Sequence, residues 1–193
     1  MALTALALCS RALLRIGVSP LTSFEDGTAE AEVAAGLYPG ARDALLSAHP
    51  WSFATGQQVL PRLLAAPHAD YRHAFQLPPD LLRTVSAGSG AGRGIPYRIH
   101  ENRLHADAEA VTLTYVFRTE EAAFPAFFTA ALVARLAAEF CLPLTESASR
   151  AEMLHRLAEG ELRGARLTDS QQDTPRGIED FPLVAVRGCA PWP

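Results

Sequence analysis

Lysine is absent from this chain: all 17 of its basic residues are arginine. That removes Schiff-base chemistry and the lysine on which a phosphate-binding P-loop depends. Cysteine is scarce. Cys9, Cys141 and Cys189 are odd in number and far apart, with no Cys-x-x-Cys and no metal-ligand spacing. They imply a reducing compartment, and Cys9 and Cys141 are expected as buried thiols that pack like small hydrophobes. A basic surface is also missing. The net charge is −4 with an isoelectric point near 5.9, whereas a protein that grips nucleic acid through phosphates needs clustered Arg and Lys. No apolar run long enough to span a membrane is free of charge, because Arg135 and Glu139 interrupt the best candidate. Residues 1–17 are apolar, but no basic residue precedes them and Arg11 and Arg15 sit at the far end, so a helix of the fold is expected there and not a signal peptide.

What is present is enough apolar material, 49% of 193 residues, for a sizeable core in one domain. Leu3, Leu6, Cys9, Leu13 and Leu14 recur at helical spacing and predict a helix over 2–17, closed by Gly17 and Pro20. Thr28, followed by Glu30 and Glu32, predicts the start of a second helix over 28–49. Pro39-Gly40 should perturb that helix, and His49-Pro50 should end it.

From Trp51 the texture becomes that of short strands. Trp51, Phe53 and Thr55 alternate, as do residues 71–77, and Pro78-Pro79-Asp80 makes a turn into Leu81–Val85. Residues 86–94 read as a flexible hairpin tip or loop. Residues 95–99 and 103–105 read as a hairpin turned at Glu101-Asn102, and Val111 to Phe117 as a strand rich in β-branched and aromatic residues. Two helices follow: 124–142, apolar nearly all round and therefore central, and 146–167, with Met153, Leu154, Leu157, Leu162 and Ala165 on its apolar side. The predicted fold class is α+β: a helical bundle core, a small antiparallel β-sheet (51–117) inserted between N-terminal and C-terminal helices, and an extended arm over 168–193.

Catalytic patterns are weak. The glycines of 86–94 miss the dinucleotide spacing and no strong helix follows them. There is no Gly-x-Ser-x-Gly, and the six histidines form neither His-Glu-x-x-His nor a helical i, i+4 pair. His100 and His105 straddle a predicted hairpin and are placed to meet across strands. With nearby acids they support the alternative of a small metal-dependent hydrolase, although no cysteine or acid completes a zinc set. Glu30 with Glu32, and Glu120 with Glu121, read as helix-start acids. Arg150, Arg156, Arg163 and Arg166 line the polar side of the last helix, as a solvated face or as an ion-pair row facing a neighbouring subunit. The stretch from Leu37 to Phe53 places one of the chain's two tryptophans, with His49, Pro50 and Phe53, at the corner where helix gives way to sheet. That investment is in packing, which suits a part of an assembly better than a catalyst.

A series of landmarks runs in order along residues 3–167. It begins with Leu6-Ala7-Leu8-Cys9-Ser10-Arg11-Ala12-Leu13-Leu14-Arg15-Ile16-Gly17, then Ser23-Phe24-Glu25-Asp26-Gly27-Thr28-Ala29-Glu30-Ala31. Leu37-Tyr38-Pro39, Arg42-Asp43-Ala44-Leu45-Leu46 and His49-Pro50-Trp51-Ser52-Phe53-Ala54 follow. Tyr71 through Arg83, Tyr115-Val116-Phe117 and the helix from Phe124 to Leu136, leading into Ala137-Ala138-Glu139, complete it. In this order and spacing the chain resembles the head-to-tail adaptors of tailed phages, the tail tubular protein A family. The resemblance implies a non-enzymatic virion protein of the neck, without cofactor or metal, assembled in the host cytoplasm. Its copies would form a ring, commonly a dodecamer, beneath the portal protein. That ring extends the DNA channel, has no membrane partner and receives the next tail or neck protein. An acidic balance suits a channel through which DNA slides. Arg150, Arg156, Arg163, Arg166, Phe181 and Trp192 are then candidate contacts with a neighbouring subunit or the portal. Another neck or tail-completion protein of the same virion is the nearest alternative.

Overall fold

In the computed structural model, which describes residues 3–89 and 92–172, a threonine starts each of the first two helices. Thr4 Oγ1 accepts from the Ala7 amide at 3.2 Å and opens α1 (Ala5–Arg15); Thr28 Oγ1 does the same for Ala31 and opens α2 (Ala29–Ser47). Each hydroxyl satisfies an amide that the helix itself leaves without an acceptor. Helix α1 stops at Gly17, whose φ of 80° is the left-handed conformation that closes a helix.

Helix α2 is continuous through Pro39, contrary to the perturbation expected there. Proline removes one amide donor, but Pro39 and the residue four positions earlier, Ala35, are both exposed, so water can serve the freed carbonyl. The strand expected from Trp51 is likewise corrected: Ser52 to Ala54 form a turn, and β1 begins only at Thr55 (Thr55–Val59). Next come β2 (His73–Gln76), β3 (Leu81–Ser89), β4 (Gly92–Arg93), β5 (Tyr97–His100), β6 (Arg103–Ala106) and β7 (Thr112–Phe117). The segment expected as a flexible tip over 86–94 is largely strand, with Gly88 opposite Arg93 and Ser89 opposite Gly92.

Two small antiparallel sheets replace the single sheet expected. One has the order β1-β7-β3-β4, the other β2-β6-β5. The hairpin of the second sheet turns at Glu101 and Asn102, both at positive φ. A 3₁₀ turn (Glu121–Ala123) leads into α3 (Ala126–Thr145), and α4 (Ala148–Ser170) completes four α-helices among the described residues. Residues 168–170, expected in the arm, belong to α4. Gln171 and Gln172 of that predicted arm form a turn at the end of α4, and 173–193 lie outside the described residues.

Helix α3 is long and apolar enough to cross a membrane by length and composition alone. Here Phe128, Leu132, Leu136 and Phe140 are fully buried, and α3 packs against α1, α2 and α4. Its Arg135 and Glu139 pair at 2.6 Å on the half-exposed side. Strand β7 separates two cores. Val116 points into the helical one, with Leu13, Leu46, Trp51 and Phe128; Leu113 and Tyr115 point into a second, with Phe75, Leu104 and Val111. The overall class is therefore mixed helix and sheet in the α+β sense.

Candidate functional site

Trp51, in the loop after α2, is fully buried, and its indole Nε1 donates to the Leu45 carbonyl at 3.0 Å. That carbonyl belongs to the last turn of α2, so the ring caps the helix that precedes it. Around it stand His49 (4.8 Å between centroids, edge on) and Phe128 (5.1 Å, edge on). Phe53 and Phe124 close on Phe128 at 5.0 and 4.8 Å. Pro50 is exposed and ends the helical path. Such edge-to-face contacts add to the area buried.

The far end of the chain locks this corner. Asp169, in the last turn of α4, is only 4% exposed. Its carboxylate accepts from the Ser52 amide at 3.2 Å and from the Ser52 hydroxyl at 2.7 Å, with His49 Nε2 at 3.2 Å. Arg166 Nη2 donates to the Ala48 carbonyl at 3.3 Å. The serine, histidine and aspartate have the wrong order for nucleophilic catalysis. A base must stand between nucleophile and acid, whereas here the Ser52 hydroxyl donates its hydrogen bond directly to the aspartate, which sits in the middle. The arrangement is a clamp. It also takes Arg166 out of the row of arginines expected on one solvated face.

A second polar network ties α2 to the segment after β7. Tyr38 donates its hydroxyl to Glu121 Oε1 at 2.7 Å, and Arg42 donates to the same oxygen at 3.2 Å and to Asp43 at 3.0 Å. Arg118 Nη2 reaches Asp43 at 2.7 Å. Burial opposes ionisation of Asp43, but Arg118 and Arg42 outweigh it and hold the carboxyl below its usual range. Burial is again the largest influence on Glu121, and Tyr38 and Arg42 overcome it in the same direction. Burial and then Glu121 push the Tyr38 phenol up, so it stays a donor. Glu121 is thus more than a helix-start acid, a role visible only once residue 38 is beside it. Cys9 and Cys141 are buried and free; desolvation pushes the Cys9 thiol up to about 12, which makes it inert.

The remaining arginines of the predicted row sit differently. Arg156 pairs with Glu152 at 2.7 Å on the surface of α4, while Arg150 and Arg163 are exposed and form no ion pair among the described residues. Phe181 and Trp192 lie outside the described residues, as does Cys189.

Two grooves flank α3 and meet at Ala130. One, of about 580 Å³, lies against α1 and is lined by Leu3, Arg11, Arg15, Phe124 and Val133. The other, of about 500 Å³, lies against α4 and is lined by Phe127, Leu157, Gly160, Glu161 and Gly164. Met153 and Leu157, expected on the buried side of α4, are instead 53% and 57% exposed, and Leu167 is 62% exposed. The core side is carried by Ala151, Ala158 and Ala165, with Leu154 and Leu162 packed beside them. Met153, Leu157, Gly160, Gly164 and Leu167 recur at alternating intervals of four and three, the spacing of a helix-packing seam. That spacing was the available signal, and assigning every large apolar residue of the helix to one buried face concealed it.

His100 and His105 meet across the β5–β6 hairpin with ring centroids 5.7 Å apart, in a shallow groove that also includes His68 and Asp70. No group of three His, Cys, Asp or Glu side chains is arranged to hold a metal among the described residues. No protein-family model matches the chain, and no curated protein matches it.

Proposed function

We propose that the chain is a structural virion protein, a head-to-tail adaptor whose copies form a ring beneath the portal and join capsid to tail. In this reading it is not an enzyme. The strand-bearing segment is then an insertion in sequence between the two helical pairs, and the chain after α4, residues 171–193 of the expected arm, reaches a neighbouring subunit or the portal.

The observation that supports it is where the polar and apolar residues are spent. Asp169, Ser52 and His49, and likewise Tyr38, Glu121, Arg42 and Asp43, pair with one another and hold elements together. Large apolar side chains meanwhile stand exposed along α4, beside grooves that flank α3. A surface of that kind is suited to a protein partner. The ordered landmarks from Leu6 to Glu139 supply the family.

Co-expression with a portal protein encoded in the same genome, followed by electron microscopy of the purified complex, tests the proposal. A second ring stacked on the portal ring is expected. A portal ring that assembles normally and never retains this chain contradicts it.

A further inference from the structure

We infer that residues 183–187 of one copy add as a strand to the open edge of β1 in a neighbouring copy. The inference rests on the reading that copies join one another, and it names the edge and the segment that join them.

The first support is the edge itself. Among the described residues the two sheets have four edges, and three are protected. Strand β4 is only two residues long, and β5 carries Arg98 and follows Pro96. The outer edge of β2 is covered by residues 61–63, where the Leu63 amide reaches the Ala74 carbonyl and the Gln76 amide reaches the Pro61 carbonyl. Short length, charge, proline and cover are the usual means by which an edge avoids pairing with another chain. Strand β1, Thr-Gly-Gln-Gln-Val, has none of them, and β7 is the only strand paired with it. The Ala54 carbonyl accepts from the Phe117 amide and the Leu60 amide donates to the Val111 carbonyl, so the even-numbered residues face β7. The amides of Thr55, Gln57 and Val59 therefore face outward, and none of the three finds an acceptor among the described residues. Val59, at the far end of the strand, is 66% exposed.

The chain carries its own occupant for that edge. Residues 183–187, outside the described residues, read Leu-Val-Ala-Val-Arg, an apolar run with neither glycine nor acid, and Pro182 precedes it where a strand tolerates proline. The run equals β1 in length. An extended segment of this kind binds a sheet edge through main-chain hydrogen bonds, and the outward amides of β1 supply the donors. The point of departure is fixed as well: Gln172 Oε1 accepts from the Ser52 hydroxyl at 3.1 Å, so the chain leaves α4 beside a residue three positions ahead of β1.

Direction selects a neighbouring copy. Every pairing in the sheet that contains β1 is antiparallel. Running straight on from Ser52, the arm would lie parallel to its own β1, whereas an arm from another copy can enter at the Val59 end and pair antiparallel. Residues 173–182, extended, reach about 33 Å, twice the roughly 17 Å of a five-residue strand. That length suits a crossing between copies. Each copy then offers one strand and one edge, a head-to-tail contact of the kind that repeats around a ring.

Cross-linking of the full-length protein over a wide concentration range tests this. Cys189→Ser leaves only the buried Cys9 and Cys141; Gln57→Cys and Val184→Cys are added to it and treated with a short bis-maleimide. A ladder of covalent multimers is expected, and a cross-linked pair when the two new cysteines are carried by differently tagged copies. Adding Ala185→Pro and Val186→Pro, which removes an arm amide of either facing, should abolish the ladder and leave the melting temperature at low concentration unchanged. A product confined to internally linked monomers would overturn the neighbouring copy as acceptor. Absence of any product, or a ladder indifferent to the two prolines, would overturn the edge itself. The ring reading is decided separately, by whether a second ring stacks on the portal.

Discussion

Ser52 and Asp169, 117 positions apart, share three hydrogen bonds: the serine amide reaches both carboxylate oxygens at 3.2 Å and its hydroxyl reaches Oδ1 at 2.7 Å. This one pair fastens the end of α4 to the corner at which α2 gives way to the sheets. Replacing Asp169 with Ala leaves the Ser52 amide with no charged acceptor. A loss of about 1–3 kcal/mol is expected in chemical denaturation, and Asp169→Asn should recover part of it. Unchanged stability in D169A would show that the clamp contributes nothing.

Trp51 joins packing to capping, and the two can be measured apart. Trp51→Ala should cost about 3–5 kcal/mol for a fully buried aromatic ring. Trp51→Phe keeps most of the packing but loses the bond to the Leu45 carbonyl, at about 1 kcal/mol. Thermal denaturation of the two variants separates the contributions, and equal losses would show that packing is not the larger one.

Acid should weaken the Tyr38–Glu121–Arg42–Asp43–Arg118 network. Asp43 and Glu121 both have folded pKa values below their ordinary range. Their contribution to stability is therefore complete above the ordinary carboxylate values of about 4. It disappears as the pH falls through the lower, folded values. Melting temperatures measured from neutral pH down to about 3 should fall less steeply in Asp43→Asn and Glu121→Gln than in the wild type. Parallel curves would remove these two residues as the cause of acid sensitivity.

The glycines of α4 make a prediction about the chain alone. Gly160→Ala and Gly164→Ala should each stabilise it by about 1 kcal/mol, since alanine favours helix and meets no neighbour at either position. Chemical denaturation in dilute solution checks this; a loss of stability in either variant would show that the position is not open.

Legibility in the sequence followed the range of the interactions. Thr28 with its following glutamates, the turn at Glu101-Asn102 and the β-branched run of β7 are local signals, and the structure has a helix start, a hairpin and a strand there. Pro39 misled because the penalty for proline depends on whether the freed carbonyl can reach water, and that depends on a face set by packing. The division into two sheets was hidden because β7 pairs with β1 and β3, while β6 pairs with β2 and β5, across distant segments. Asp169 looked like the start of a polar arm. Its burial comes only from meeting Ser52 and His49, and no local pattern encodes that meeting. Met153 and Leu157 failed for a different reason: apolar side chains at helical spacing reveal a face, yet which body covers that face is not written in the spacing.

The most direct measurement is the number of copies per virion, read by quantitative peptide mass spectrometry of purified particles against the portal protein. An adaptor ring beneath the portal predicts this chain in the particle in numbers equal to the portal. Its absence from particles, or its presence at the abundance of the capsid shell, would contradict that role.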